Sequence, residues 1–274
     1  MNKLKISGLA VLMFFGLSTV KTMGQEIEIS VLGGLSKSKQ PKTKLSEGST
    51  VGFSALFMQP LNESWKLGIG AEFGMYQLKK KMGNQNGMSP SIDRQGDTFQ
   101  FRYKMDNYTE DLKGNYIAIP LKVQYEGGPI GTNKLNFYAV AGVKFQIYSK
   151  VKSDQKINGL TTSGYYPQWD AELHQPIEEG FGVLGDQSRN EKLKLNNGFL
   201  LLGEVGVKYA LTEKRAIYVG LFGDYDLGSS GSEVNTLITY KKKPVPTSTV
   251  PSENEKYKLR MFTLGIKVKY AFGL

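Results

Sequence analysis

The chain has 274 residues, with 35 Lys and Arg against 25 Asp and Glu, one His and no Cys. The lack of Cys excludes disulfides, thiolate metal sites and cysteine nucleophiles, and a single His excludes a multi-histidine metal centre. The 32 Gly, 15 Tyr and 14 Phe favour many strands over helices. We therefore expect an all-β protein that binds no metal and no cofactor.

The N-terminal segment has the pattern of an export signal. Two lysines within the first five residues precede a mostly apolar run over Ile6–Val20, and small or polar residues follow up to Gly24. This run is shorter than the roughly 20 residues that a transmembrane helix needs. We predict a signal peptide over 1–24 and one mature domain over 25–274. An N-terminal membrane anchor is the alternative interpretation.

Eight segments of the mature chain alternate apolar residues with small or charged ones. The last is the clearest, because seven apolar residues from Phe262 to Leu274 alternate with residues that include Lys267 and Lys269. A period of two is that of a β-strand, whereas a helix would mix these lysines with the apolar residues. The predicted strands are, in chain order, Glu26–Leu35, Ser49–Met58, Leu67–Met75, Ile117–Tyr125, Leu135–Tyr148, Phe199–Leu211, Ile217–Leu227 and Arg260–Leu274.

The connections between these strands alternate between long and short. The short ones are Gln59–Ser64, Glu126–Asn133 and Thr212–Arg215, and the long ones are Ser36–Gly48, Lys79–Lys113, Val151–Asn196 and Gly228–Lys256. Outer-membrane barrels have short periplasmic turns and long extracellular loops. We therefore predict an eight-stranded antiparallel up-and-down transmembrane β-barrel with both termini in the periplasm. The long connections have no helical apolar period, so we expect solvated loops and no second folded domain.

The strand face opposite the apolar row is dominated by glycine and by charges of both signs. The lumen of an eight-stranded barrel is only wide enough for side chains to fill. An unpaired buried charge costs several kcal/mol, so we predict a structural network of ion pairs that fills the lumen. Its predicted members are Glu72, Lys122, Lys144, Glu204, Lys208, Asp224, Asp226, Lys267 and Lys269. In a soluble periplasmic lipid-binding barrel, the alternative, these charges would instead face water.

Aromatic residues near the strand ends favour the membrane, because aromatic girdles mark both membrane interfaces. These are Tyr125, Tyr148, Tyr209, Tyr225, Tyr270 and Phe272. Within the fourth predicted strand, Pro120 has no N–H to donate to the β-ladder. We therefore predict a β-bulge at Pro120.

Several strand motifs resemble those of bacterial outer-membrane β-barrel proteins. Residues 115–125, NYIAIPLKVQY, look like the strand of that family with the pattern Y-hydrophobic-x-I-P-L-x-hydrophobic-x-Y. Residues 137–142, 202–209 and 218–225 are similar to further strands of those proteins, and Ser163–Pro167 resembles a segment in the N-terminal barrels of OmpA-type proteins. The resemblance implies a barrel in the outer membrane of a Gram-negative bacterium, and we expect a monomer.

The end of the chain resembles the C-terminal signal that the barrel-insertion machinery reads. Tyr270, Phe272 and Leu274 carry this resemblance, with Leu in place of the usual final Phe. The resemblance implies contact with that machinery, with outer-membrane lipid and with lipopolysaccharide. OmpA-type proteins often continue into a peptidoglycan-binding domain, and we expect none here because the chain stops at Leu274.

Candidate chemical sites are few. His174 shares a long connection with Ser163 and Ser188, the residue types of a hydrolase, but any long polar loop contains such a set. The runs Lys79–Lys81 and Lys241–Lys243 are candidates for lipopolysaccharide contact or form a solvated rim.

We therefore expect a non-enzymatic outer-membrane barrel with a structural or surface-interaction role. A small channel, or an accessory of an outer-membrane assembly, is the alternative function. We expect no nucleic-acid partner because the chain is exported.

Overall fold

The computed structural model describes residues 24–38, 46–131, 134–227, 237–240, 245–246 and 260–274. The predicted signal peptide and Lys241–Lys243 lie outside these ranges, apart from Gly24. No helix among the described residues is long and apolar enough to cross a membrane.

The strands are β1 (Glu26–Ser38), β2 (Ser46–Pro60), β3 (Trp65–Met82), β4 (Gln85–Ile92), β5 (Thr98–Met105), β6 (Asn107–Pro129), β7 (Leu135–Tyr166), β8 (Ala171–Leu173), β9 (Gly182–Leu193), β10 (Gly198–Thr212), β11 (Arg215–Asp226), β12 (Ile238–Thr239), β13 (Val245–Pro246) and β14 (Met261–Gly273). Two 3-10 helices span Pro167–Trp169 and Ile177–Glu179.

Eight of these strands form a closed antiparallel ring. The order is β1-β2-β3-β6-β7-β10-β11-β14, and β14 also pairs with β1. Each strand of the ring therefore has two hydrogen-bonded neighbours, which leaves the barrel without an edge. The predicted eight-stranded antiparallel barrel is confirmed.

The apolar rows face outward and the charged rows face the lumen. In β14 the side chain of Ile266 is 57% exposed, whereas that of Lys269 is completely buried. The other ring strands follow the same rule, as shown by exposed Ile117, Val205 and Leu221. This orientation is that of a transmembrane barrel and the reverse of a soluble one.

Two of the predicted loops form a folded β-structure beyond the barrel. β3 continues to Met82, β6 begins at Asn107 and β7 runs on to Tyr166, while β4, β5, β8 and β9 add further pairs to β7 and to each other. We call residues 79–113 and 150–195 the extension. The prediction of solvated loops is wrong for these two segments, because their strands bury an apolar core of their own.

Alternate residues of β5 supply much of that core. Phe99, Phe101, Tyr103 and Met105 are all buried, and the Phe99 ring stacks on that of Tyr166 with centroids 5.2 Å apart. The other buried members of this cluster are Met82, Tyr108, Ile157, Leu160, Phe181 and Ile238.

Pro120 produces a gap in the ladder without a bulge, so that prediction is wrong. β3 and β6 pair at Ile69 with Leu121 and again at Glu72 with Ala118, which is one unchanged register. On its other side Pro120 stays in register with Lys144 of β7. The missing N–H removes ladder bonds locally, but no extra residue is needed to accommodate it.

Most of the predicted girdle residues lie on the outer surface, with one exception. Tyr125 is exposed and packs against Trp65 with ring centroids 5.0 Å apart. Tyr148 instead points inward, where its ring meets Tyr76 edge-on at 5.8 Å. Its even number places it on the same face of β7 as Lys144, so strand alternation itself requires the inward position.

Candidate functional site

Three layers of ionic side chains fill the lumen. In the layer nearest the short turns, Lys66 Nζ lies 2.8 Å from Glu26 Oε1 and 2.7 Å from Glu126 Oε1. Glu126 Oε2 also accepts a hydrogen bond from Lys208 Nζ at 2.6 Å, and Glu126 Oε1 accepts one from the Tyr218 hydroxyl at 2.8 Å. One buried carboxylate therefore has three donors from three other strands.

The middle layer centres on Lys269. Its Nζ lies 2.8 Å from Glu204 Oε1, 3.6 Å from Glu28 Oε2 and 4.1 Å from the centre of the Tyr138 ring. The hydroxyl of Tyr138 donates to Glu204 Oε1 at 2.6 Å, and Lys122 Nζ donates to Glu28 Oε1 at 2.6 Å. Every charge in this layer is buried and faces an opposite charge.

The third layer joins carboxylates from two strands through one lysine. Lys144 Nζ lies 2.6 Å from Glu72 Oε1 and 2.7 Å from Asp224 Oδ2. Lys267 Nζ lies 4.0 Å from Glu72 Oε2 in this layer and 3.9 Å from Glu204 Oε2 in the middle layer. Lys267 therefore connects the middle and third layers.

All nine residues predicted for the lumen lie on its inner face, Lys208 being the most exposed of them and Asp226 being buried at the extension end. The predicted network did not include Glu26, Glu28, Lys66, Glu126 or the tyrosine hydroxyls. Glu126 could have been found, because it continues the inward series of Lys122 and Gln124.

The ionic layers pack closely against one another. A cavity of about 10 Å³ lies between the middle and third layers, lined by residues that include Leu56, Pro120 and Phe222. Such a volume holds about one water molecule. Beyond the third layer, the lumen is closed by a buried apolar cluster comprising Tyr76, Leu78, Leu112, Tyr116, Ala118, Val151, Leu193, Leu195 and Met261.

A buried polar group separates this apolar cluster from the core of the extension. Ser153 Oγ donates to Glu110 Oε1 at 2.5 Å. Lys80, whose side chain is also buried, lies directly opposite Glu110 in the register of β3 and β6. Burial lowers the pKa of Lys80 from 10.5 to about 8, and the charge of Glu110 opposes this shift. Of the predicted surface run, only Lys79 and Lys81 face outward.

The far end of the extension exposes several large side chains. Trp169 is 58% exposed and stacks on Tyr166 with centroids 5.1 Å apart, and Ile177 and Val183, further along the chain, are exposed as well. On the adjoining strands the Arg102 guanidinium lies 4.0 Å above the Tyr165 ring. This end therefore presents aromatic and aliphatic groups on a framework of paired strands.

The residues of the candidate hydrolase are not arranged as a triad. Ser163 Oγ donates to Glu172 Oε1 at 2.7 Å, while His174 is exposed. Ser188 pairs with Lys156, seven residues along β7 from Ser163. Among the described residues, no group of three or more His, Cys, Asp or Glu is placed to hold a metal ion.

A family model for the outer membrane protein β-barrel domain matches residues 21–228. The chain belongs to this family. It is therefore a protein of the Gram-negative outer membrane, in agreement with the apolar outer face of its barrel. No curated protein sequence matches the chain.

Solved structures of three outer-membrane proteins are similar to this barrel. The attachment invasion locus protein Ail of Yersinia pestis is 11% identical, covers 91% of this chain and 100% of its own, and has a TM-score of 0.33. Neisserial surface protein A is 11% identical over 89% and 95% of the two chains, with a TM-score of 0.34. OprG of Pseudomonas aeruginosa is 15% identical over 88% and 95%, with a TM-score of 0.32. At these values none of the three indicates a function for this chain.

The residues of the predicted insertion signal lie at the turn end of this outer-membrane barrel. Tyr270 and Phe272 are on the outer face of β14 with ring centroids 6.1 Å apart, and Leu274 is exposed. The backbone N–H of Leu274 donates to the Gln25 carbonyl at 2.8 Å, which joins the two ends of the barrel domain. Recognition of these residues by the insertion machinery stays a prediction.

Proposed function

We propose that this outer-membrane barrel conducts no solute and acts as a surface-interaction protein, with the barrel holding the extension outside the cell. The observation that carries the proposal is the filled lumen. Three ionic layers and an apolar cluster occupy it in series, and the cavity between two of the layers has room for about one water molecule. A solute pathway would require several buried ion pairs to separate together.

The extension supports the interaction role. It has its own apolar core, so its strands hold exposed groups at fixed positions. Exposed apolar groups such as Trp169, Ile177 and Val183 cost free energy in water, and their exposure at the end of a folded element is typical of a contact surface.

We also infer that the protein is not an enzyme. The only histidine, His174, is exposed, and the hydroxyl of Ser163 donates to the carboxylate of Glu172 and not to this histidine. A serine–histidine pair needs the imidazole within hydrogen-bond reach of the hydroxyl. A His174→Ala variant should leave any lipid turnover measured in outer-membrane vesicles unchanged, and a loss of turnover would establish the enzymatic function.

Conductance tests the closed lumen. Purified full-length protein inserted into planar bilayers should give no reproducible unitary conductance, with a general porin as the positive control. Regular conductance steps that depend on the amount of protein would overturn the proposal and favour the small channel.

Adhesion of whole cells tests the contact surface. Cells that display a variant with Trp169, Ile177 and Val183 changed to Ser should adhere to hexadecane droplets less than cells with the wild-type protein. A matched variant with the exposed residues Lys104, Asn107 and Asn158 changed to Ser should adhere as the wild type does. Equal adhesion of all three strains would remove the support for an apolar contact surface.

A further inference from the structure

Three lysines lie directly opposite one another on the outer face of neighbouring strands. Lys113 of β6 is in register with Lys152 of β7, and Lys152 is in register with Lys192 of β9. All three side chains are exposed. Directly opposite residues on one sheet face have Cβ atoms about 4.5–5.5 Å apart, and like charges there destabilise a sheet. We call these residues the lysine row.

Of the three lysines in the row, only Lys113 has an ion-pair partner among the described residues. Lys113 Nζ lies 2.9 Å from Asp111 Oδ2, which shares its carboxylate with Gln77. Within the part of the chain that the structure describes, neither Lys152 nor Lys192 forms an ion pair. Asp154 stands opposite Asp111 in the next row away from the barrel, and its charge acts on Lys113 as well.

A β-bulge adds to the positive charge. The register between β6 and β7 shifts by one residue next to Lys113, and Lys150 occupies the bulge in a left-handed backbone conformation with φ of 51°. Its side chain is exposed beside the lysine row. A non-glycine residue seldom adopts this conformation.

The lysine row lies close to the apolar outer face of the barrel, with one polar row, Asn115 opposite Ser149, between them. Below it, Ile117 pairs with Ile147, and the rings of Phe145 and Phe199 lie 4.9 Å apart on the same outer surface. The row is at the end of the barrel that carries the extension, opposite the short turns. In outer-membrane barrels that end faces the outside, so the row lies at the headgroup level of the outer leaflet.

We propose that the lysine row binds the phosphate of lipid A in the outer leaflet, with the acyl chains of the lipid along Ile117, Ile147 and Phe199. One phosphate between three ammonium groups replaces their mutual repulsion by attraction, and a lysine beside an anionic membrane surface strengthens binding severalfold. The apolar surface below the intervening polar row fits the acyl chains, which a free phosphate lacks. This site would be present whether or not the barrel conducts, so it is independent of the proposed function.

Titration of the full-length protein in detergent micelles with fluorescent lipid A tests the site. A variant with Lys113, Lys152 and Lys192 changed to Gln should bind at least about tenfold more weakly than the wild type. A control with Lys81, Lys104 and Lys156 changed to Gln loses the same charge from exposed positions farther out. It should bind within about twofold of the wild type.

Two further binding measurements identify the chemical group that the lysine row binds. Lipid A from which the phosphates have been removed should bind the wild type and the row variant equally weakly, and inorganic phosphate should not compete at millimolar concentration. An equal loss of affinity in the row variant and the control variant, or no loss in the row variant, would overturn the proposal. Strong competition by inorganic phosphate would overturn the lipid as the occupant.

Stability without lipid separates a binding role from a structural one. In micelles free of lipid A, the row variant should unfold at a temperature equal to or above that of the wild type, because it no longer contains opposed lysines. Added lipid A should raise the unfolding temperature of the wild type more than that of the row variant. A row variant that is less stable than the wild type without lipid would show that these lysines stabilise the fold, against the proposal.

Discussion

Lys144 Nζ lies 2.6 Å from Glu72 Oε1, an ion pair between two strands that are separated in the ring by β6. The same ammonium reaches Asp224 on β11 at 2.7 Å, so one buried lysine connects three strands across the lumen. Such a lysine braces the barrel from inside, and its loss leaves two carboxylates without their main counter-charge.

Lys144→Ala should therefore lower the free energy of unfolding by about 3–5 kcal/mol, the usual cost of removing one partner from a buried ion pair. The folded and unfolded proteins run as separate bands in a gel. The measurement is the denaturant concentration at which half of the protein runs as the folded band. The exposed Lys104 supplies the control, since Lys104→Ala should change the free energy by less than about 0.5 kcal/mol. Equal midpoints for the two variants would contradict this account of the third layer.

Gly74 provides a test of packing in the same region. A Cβ added at Gly74 would overlap the Tyr116 ring, whose hydroxyl donates to Glu72 Oε1 at 3.0 Å. Gly74→Val should therefore displace this ring and destabilise the barrel by about 1–3 kcal/mol. Gly33 is also in a barrel strand, but a Cβ there meets nothing within 4 Å. Gly33→Ala should leave the midpoint unchanged, and the same destabilisation at both positions would argue against a specific overlap.

The extension should unfold separately from the barrel. Phe101 is completely buried in the core of the extension, so Phe101→Ala should cost about 3–5 kcal/mol locally. We expect rapid proteolysis within residues 85–105 while the folded band of the barrel persists, because the ring strands keep their pairs. Met88→Ala, at an exposed position of β4, should leave proteolysis unchanged. Loss of the folded band in Phe101→Ala would show that extension and barrel unfold as one unit.

The stability of the extension should also depend on pH. Burial places the pKa of Lys80 near 8 in the folded protein, below its ordinary value of 10.5. Between these two values the unfolded extension binds more protons than the folded one, so stability rises with pH from about 8 upward. Amide hydrogen exchange of the extension, corrected for the intrinsic rate, should therefore slow relative to the barrel from pH 7 to 9.5. Lys80→Met should remove this dependence, and parallel curves for the two proteins would show that another group is responsible.

The barrel was largely predictable from the sequence because each ring strand has to present one face to lipid. That requirement imposes a strict apolar period, as in Ile117, Ile119 and Leu121, and it also identifies the inward positions such as Lys122. Which carboxylate meets which lysine was not predictable, since it depends on the stagger between strands. Lys122 pairs with Glu28 rather than with a residue from the predicted set.

The extension was missed for two different reasons. In β7 the bulge at Lys150 moves the inward positions from even to odd numbers, and the inward residues Ser153 and Gln155 are polar, so no continuous apolar row is visible. In β5 the period of two is present but short. Phe99 and Phe101 continue into Tyr103 and Met105 with a period of two, but the run is short and is surrounded by polar residues.

The 32 residues of β7 form one strand, with a bulge at Lys150, from the turn side of the barrel to Tyr166 beside the exposed Trp169. At about 3.3 Å per residue this strand has a contour length of roughly 100 Å. A pull on a molecule held at its tip would act along the strand, and ladder hydrogen bonds lie across that direction. The force would therefore act in shear on many ladder hydrogen bonds at once and would be transmitted to the membrane-embedded ring.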